Sequence, residues 1–370
     1  MANSVKAPAG SGTMFHKAAI AALVVGAAGM FAVGALTKKH AVETAVVTGP
    51  KAAAQASAGD GGKSVSGIGE AALNGAGIAK PLDVSLTQTT GKLWALFRDI
   101  GYEIDGVRVH GEVPRLFLAS LPQDLRHQPR AEMRKTTFIK STLPLILHVN
   151  ELILQDRERI ATLRDHVSEG GVLSEPDRLW LEATSERYGS QSADPVVLLT
   201  HVDIVPPSLA IAQAAEESGW GTSRFAREGN ALFGQRAYKA HKKGIVPKER
   251  PDGTSFRVRA FDHLIDGVKS YVHNLNSHPA YRDFRKARAM MRAENDGIDG
   301  YRLAGALLRY SERGVDYVKT IRVIMRANTL RAFDDAKLGR SVSPDAWLKT
   351  RHIDFPDPAV LSSVNISWRV

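Results

Sequence analysis

The chain has 370 residues, 44% hydrophobic and 24% charged, with a formal net charge of +10 and no cysteine. Zero cysteine excludes disulfides, thiolate metal sites, c-type haem attachment and a cysteine nucleophile, while the length is enough to bury a core without staples. The basic excess, with a pI near 9.7, calls for an anionic counterpart: nucleic acid, a membrane surface or an acidic polymer.

Residues 1–17 precede an uncharged apolar run, Ala18 to Thr37, with Ile20, Leu23, Val24, Val25, Met30, Phe31, Val33 and Leu36 set among Ala and Gly. About 20 such residues span a bilayer core, so the run is expected to be one transmembrane helix. Ala35-Leu36-Thr37 ahead of Lys38-Lys39 is a poor cleavage site, so an uncleaved anchor is expected. Lys6 and Lys17 before the span balance Lys38 and Lys39 after it, which leaves its orientation open. Residues 38–80 are rich in Ala, Gly and Ser and read as a flexible linker with a coil reach of roughly 35 Å.

The folded body is expected from Pro81. Leu93, Trp94, Leu96 and Phe97 indicate a short helix, followed by an irregular stretch with Pro114 and Pro122. Apolar residues from Phe138 to Leu163 recur at helical spacing and predict a helix over about 131–167 that Pro144 kinks or divides. Ser174-Glu175-Pro176 marks a second helix start, and Pro206-Pro207-Ser208 a third that ends at Ser218-Gly219. Gly229 to Phe261 reads as short strands and turns. Four helical segments are predicted after it, about 261–276, 280–294, 299–312 and 315–328. The tail from Ser341 contains Trp347, Phe355 and Trp368 and is expected to pack. The fold class is α+β, mainly helical, with helices on both sides of one small β lobe.

The chemistry concentrates in Ala212-Gln213-Ala214-Ala215-Glu216-Glu217-Ser218-Gly219-Trp220-Gly221. An early Pro and an αL Gly bracket the helix, so a carboxylate arrives on its last turn, directly before a glycine-flanked Trp. The negative end of the helix dipole and an apolar wall both favour the protonated carboxyl, the form a glycosidic oxygen needs as general acid. Taken alone, the same run reads first as an ordinary solvated Glu at a helix end beside a core Trp.

The run continues Thr222-Ser223-Arg224-Phe225-Ala226-Arg227-Glu228-Gly229-Asn230-Ala231-Leu232-Phe233-Gly234. Together the two stretches resemble the bacterial glucosaminidase domain of glycoside hydrolase family 73, in its Bax-like and FlgJ-like branch. Val113-Pro114-Arg115-Leu116-Phe117-Leu118, His273-Asn274-Leu275-Asn276-Ser277-His278-Pro279 and Tyr310-Ser311-Glu312-Arg313-Gly314 match that branch, and the likeness covers about 92–330. It implies a lysozyme-like fold, with 81–200 the helical N-terminal part, 201–330 the catalytic core and 331–370 a C-terminal extension. It also implies cleavage of the glycan of peptidoglycan, with Glu217 the general acid and Glu216 a departure from the family's usual neutral residue.

An inverting route needs a second carboxylate roughly 6.5–9.5 Å away, whereas a substrate-assisted route uses the sugar's N-acetyl oxygen. By the resemblance Glu249 or Asp252 is the candidate, with Glu228 behind them. Tyr317 corresponds to a tyrosine near the family's cleft, and Trp220, Asn230, Phe233 and Tyr310 are expected to bind substrate. No cofactor and no metal are implied, because His201, His273 and His278 form no recognisable ligand set. Arg282, Arg285, Lys286 and Arg288 read as a solvated basic helix face, and Asp334-Asp335 as a loop charge pair. The expected partners are peptidoglycan strands and the inner membrane, with the body in the periplasm and no nucleic acid. The rival readings are a lytic transglycosylase and an inactive wall-binding module.

Overall fold

The computed structural model describes residues 89–237, 243–248, 256–295 and 297–339. The expected anchor, linker and terminal tail lie outside these residues, as do Glu249 and Asp252.

The first helix, α1 (Thr90–Asp99), starts where the Thr89 side chain accepts from the Lys92 backbone N–H. A short α2 (Ile104–His110) follows, ending at Gly111 in the left-handed region; it occupies part of the stretch expected to be irregular. After β1 (Glu112–Val113) the chain enters α3 (Ala131–Ser168), which carries Pro144 inside it. The helix expected over about 131–167 is present, and of the two effects expected of Pro144, a kink or a division, division does not occur. Residues on both sides of the proline are buried, so packing on all faces holds the turn that lacks its hydrogen bond. Ser141 and Thr142 meanwhile satisfy carbonyls one turn back. Among the described residues α3 is long and apolar enough to cross a membrane, but its apolar centre, from Phe138 to Ile153, is the core of this body.

Ser174 caps α4 (Glu175–Tyr188), and Asp194 caps α5 (Pro195–His201) through the Val196 N–H. The central helix is α6 (Pro207–Ser218), nearly all of it buried. It packs against α3 and against later helices from the far end of the chain. Beyond it lie α7 (Arg224–Gly229) and a three-stranded antiparallel lobe of β2 (Arg236–Ala237), β3 (Gly244–Ile245) and β4 (Arg257–Arg259). β4 is in the middle, with Val258 opposite both Arg236 and Ile245.

The remaining helices are α8 (Leu264–Ser277), α9 (Arg282–Ala293), α10 (Gly300–Leu303) and α11 (Val315–Ala327). The predicted helix over 299–312 is a correction. Its α-helical part ends at Leu303, a 3-10 turn covers Ala304–Ala306, and the chain then turns through Gly314, at φ 51°. That turn swings the buried Tyr310 into the core, where its hydroxyl donates to the Phe233 carbonyl at 3.2 Å. Finally β5 (Lys337–Leu338) pairs in parallel with β1, Glu112 opposite Lys337. One continuous core runs from Leu93 to Ala336. The observed class is mainly helical with a small β lobe.

Candidate active site

The sequence after α6 folds into an unusual reverse turn. Gly219, Trp220 and Gly221 all have positive φ, at 57°, 58° and 77°. Holding a tryptophan there costs on the order of 1–2 kcal/mol, so neighbouring bonds must fix it. The buried Ser218 hydroxyl donates to the Ala214 carbonyl at 2.6 Å and accepts from the Gly221 N–H at 2.8 Å. The Trp220 N–H closes on the Ala215 carbonyl at 2.9 Å. At Gly221 a Cβ would run into Leu121 and lie 3.0 Å from Phe138. The Ser-Gly-Trp-Gly run is therefore a turn that α3 and the 121–125 segment can only approach through glycine.

This turn leaves Glu217 half-buried on the last turn of α6. Its carboxyl pKa is pushed up to about 7, chiefly by burial, with the neighbouring Glu216 charge adding to the rise. A hydrogen bond from Tyr317 and the charges of Arg313 and Arg236 pull the other way without reversing it. Glu216 points elsewhere, as residues adjacent on a helix do: Arg313 donates to it at 2.6 Å.

Behind Glu217 lies a buried chain of oriented donors that the sequence reading did not find. Tyr271 donates to Gln213 Oε1 at 2.7 Å, and Gln213 Nε2 donates to Tyr317 Oη at 3.0 Å. The Tyr317 hydroxyl, having accepted from Gln213, has its own proton for Glu217. Gln213 is fully buried and sits four residues before Glu217, on the same helix face. A Gln in an otherwise Ala-rich buried helix was the available signal. Burial raises the pKa of Tyr271, Tyr310 and Tyr317 well above the ordinary tyrosine value, so all three remain donors.

The other expected site residues are placed less directly. Tyr310 stacks on Tyr317 with ring centroids 5.5 Å apart. Phe233 is 2% exposed and stacked on Tyr271 at 3.8 Å, which puts it in the wall behind the carboxyl. Trp220 is half-buried, edge-on to Phe138, with the Lys135 ammonium 5.2 Å from its ring centroid. Asn230 closes α7 at φ 50°, and its amide donates to the Phe261 and Asp262 carbonyls, tying the lobe to the start of α8. Glu228 is exposed and pairs with Arg224 at 3.5 Å.

Asp334 corrects the reading of a loop charge pair. Its carboxylate accepts from the Ser208 N–H at 2.8 Å and the Ser208 hydroxyl at 2.7 Å. It thus caps the N-terminus of α6 from a segment over a hundred residues away. Burial pushes its pKa up to about 6. The three histidines serve the backbone: His201 Nδ1 lies 3.0 Å from the Asn276 carbonyl, His273 Nε2 2.7 Å from the Arg187 carbonyl, and His278 accepts from the Ala280 N–H.

Comparisons with known proteins agree on one family. Residues 198–330 match the family model described as mannosyl-glycoprotein endo-beta-N-acetylglucosaminidase. Over 205 residues the chain is 35% identical to Protein bax of Escherichia coli strain K12, covering 54% of this chain and 71% of that relative. The chain belongs to the Bax-like glucosaminidase family. No solved structure matches it. The family-model match over 198–330 takes in α6, the Ser218–Gly221 turn and α11, so every residue of the donor chain behind Glu217 falls within it.

Proposed function

We propose that this protein is a peptidoglycan hydrolase, an endo-β-N-acetylglucosaminidase that cleaves the GlcNAc-β-1,4-MurNAc bond with Glu217 as general acid. The observation that carries the reading is the half-buried Glu217 carboxyl, its pKa pushed up to about 7 and held by the Tyr317 hydroxyl. A general acid works best with a pKa near the working pH. The Tyr317 hydroxyl engages the carboxyl from the protein side, which leaves the other carboxyl oxygen to carry the proton to the leaving group. As the glycosidic bond breaks, that proton passes to the departing sugar and positive charge develops at the anomeric carbon. Water then attacks, activated by a carboxylate from the β lobe, Glu249 or Asp252, or preceded by the N-acetyl oxygen of the sugar.

In this reading the helices and small β lobe form a lysozyme-like domain, and Trp220 and Asn230 shape the sugar-binding side of the cleft. Residues 18–37 anchor it in the inner membrane and 38–80 let it reach periplasmic glycan strands. Digestion of purified peptidoglycan by the full chain, followed by mass spectrometry of the new ends, tests the reaction. Reducing GlcNAc ends are expected. Ends of 1,6-anhydro-MurNAc would replace hydrolysis by lytic transglycosylation, and intact sacculi carrying bound protein would leave a wall-binding module.

A further inference from the structure

The basic helix face read from the sequence divides in two. Arg288 is fully buried and donates to the carbonyls of Asp203, Ile204, Thr200 and His201 and to Asn276 Oδ1. Arg285, 6% exposed, donates to the Leu275 and His278 carbonyls. Both are internal fasteners. Arg282 and Lys286 instead remain exposed on the outer side of α9.

These two open onto a cavity of about 990 Å³ between the 189–191 loop, α5, the end of α8 and α9, with Arg309 contributed by the turn before α11. Every titratable residue lining it is basic: His201, His278, Arg282, Arg285, Lys286 and Arg309. Asp283 is not among the lining residues. Arg282, Lys286 and Arg309 make no ion pair with any described residue. Elsewhere on the described surface arginines commonly find a carboxylate, as Arg187 does with Asp156 and Arg331 with Asp299. The wall between these cations is aliphatic, with Val197, Pro279, Ala280, Ala289 and Met290. Glu217 is not part of it. The two places are nonetheless linked by three ring contacts: His278 to Tyr281 at 5.9 Å, Tyr281 to Tyr310 at 6.0 Å, and Tyr310 to Tyr317 at 5.5 Å.

We infer that this cavity is a second binding site, for a short acidic peptide with small aliphatic side chains, and that it receives the stem peptide of the glycan strand. The inference rests on the hydrolase reading for the identity of the polymer. Uncompensated guanidiniums select carboxylates by paired hydrogen bonds, and an aliphatic wall suits alanine methyls and methylene chains. The lining has no Phe, Tyr or Trp, so it lacks the broad stacking platform that single-stranded nucleic acid uses. Its concave shape holds a compact group, whereas a bilayer surface meets a flat or convex basic face.

The test is titration of the full chain with a synthetic stem tetrapeptide of alanine, glutamate, diaminopimelate and alanine, beside the same peptide with its carboxylates amidated. Saturable binding to the acidic peptide is expected, weakened at least tenfold by amidation and at least tenfold by the triple variant R282A/K286A/R309A. All three side chains are exposed, so the variant should keep the parent melting temperature and its cleavage of peptide-free glycan strands. Binding of the variant within twofold of the parent overturns the site, as does equal affinity for the amidated peptide. So does binding to anionic phospholipid vesicles with none to the peptide. Peptide binding without glycan cleavage would remove the hydrolase reading and leave this site standing; cleavage without peptide binding would do the reverse.

Discussion

Two neighbouring carboxylates on the last turn of α6 have opposite circumstances. Glu216 is paired with Arg313 at 2.6 Å, while Glu217 is half-buried against tyrosines with its pKa near 7. Glu217→Gln should therefore lower glycan cleavage by about 10²–10⁴-fold, the usual contribution of a general acid, while Glu216→Gln should stay within a few-fold of the parent; release of soluble muropeptides measures both. The protonated form of Glu217 is the active one, so the alkaline limb of the rate should fall about tenfold per pH unit well above pH 7. The Tyr317 hydrogen bond lowers the Glu217 pKa, so Tyr317→Phe should move that alkaline limb upward, a displacement that a rate–pH profile resolves. A stability effect follows with the same sign. The folded pKa lies above that of an unfolded Glu, so the native state loses stability as pH rises from about 4.5 through 7. Glu217→Gln should then stabilise the protein at pH 8, by on the order of 1 kcal/mol, and have little effect at pH 4 in chemical denaturation. The residue scale was well exposed in sequence for Glu217, since helix end, Gly and Trp are adjacent there. Gln213 and Tyr271 were not exposed, because nothing in the linear chain shows that positions 213, 271 and 317 share one buried hydrogen-bond chain.

At the scale of elements, α6 is fixed at both ends by groups from other parts of the chain. The Gly219–Gly221 turn holds its C-terminus, and Gly221 lies where Leu121 and Phe138 leave no room for a methyl. Adding one there combines a clash with strain at φ 77°. Gly221→Ala should cost at least about 2 kcal/mol, seen as a lower melting temperature with reduced activity. At the other end Asp334 caps Ser208. Asp334→Ala should cost about 1–2 kcal/mol, with Asp334→Asn recovering most of it, since an amide oxygen still accepts from the Ser208 N–H; the pair is compared by thermal unfolding. Helices with a local cap, such as the one after Ser174, were legible. The short α5 was overlooked although Asp194-Pro195 is a cap and first-turn signal. The end of α10 was misread, because tertiary packing decides where that helix stops, just as it keeps α3 continuous across Pro144.

Across the whole molecule, the described body is closed by residues beyond 330. Phe333 is fully buried, β5 pairs with β1, and Asp334 reaches α6. Removing everything after Leu330 deletes all three, and losing the Phe333 side chain alone costs about 3–5 kcal/mol. A chain ending at Leu330 is expected to aggregate or to unfold at a much lower temperature than one ending at Gly339, as differential scanning calorimetry would show. The distribution of the net charge of +10 also becomes interpretable at this scale. Some arginines are structural, as where Arg157, Arg288 and Arg292 surround the buried Asp203. Burial raises the Asp203 pKa, but the Arg292 hydrogen bond and these charges overcome that and hold it below the ordinary value. Others, at the α9 cavity, remain without a counter-charge among the described residues.

The sequence by itself determined the mainly helical class, the small β lobe, most helix positions and the placing of one carboxylate before a glycine-flanked tryptophan. These follow from local rules: periodicity of apolar residues, capping residues, and glycine where φ is positive. Only the tertiary structure decided which groups act on that carboxylate, which segment caps its helix, and which arginines are fasteners and which are open. Those are matters of burial and of hydrogen bonds between residues far apart in the chain. A one-dimensional pattern carries neither, because desolvation and partner geometry exist only once the helices have packed.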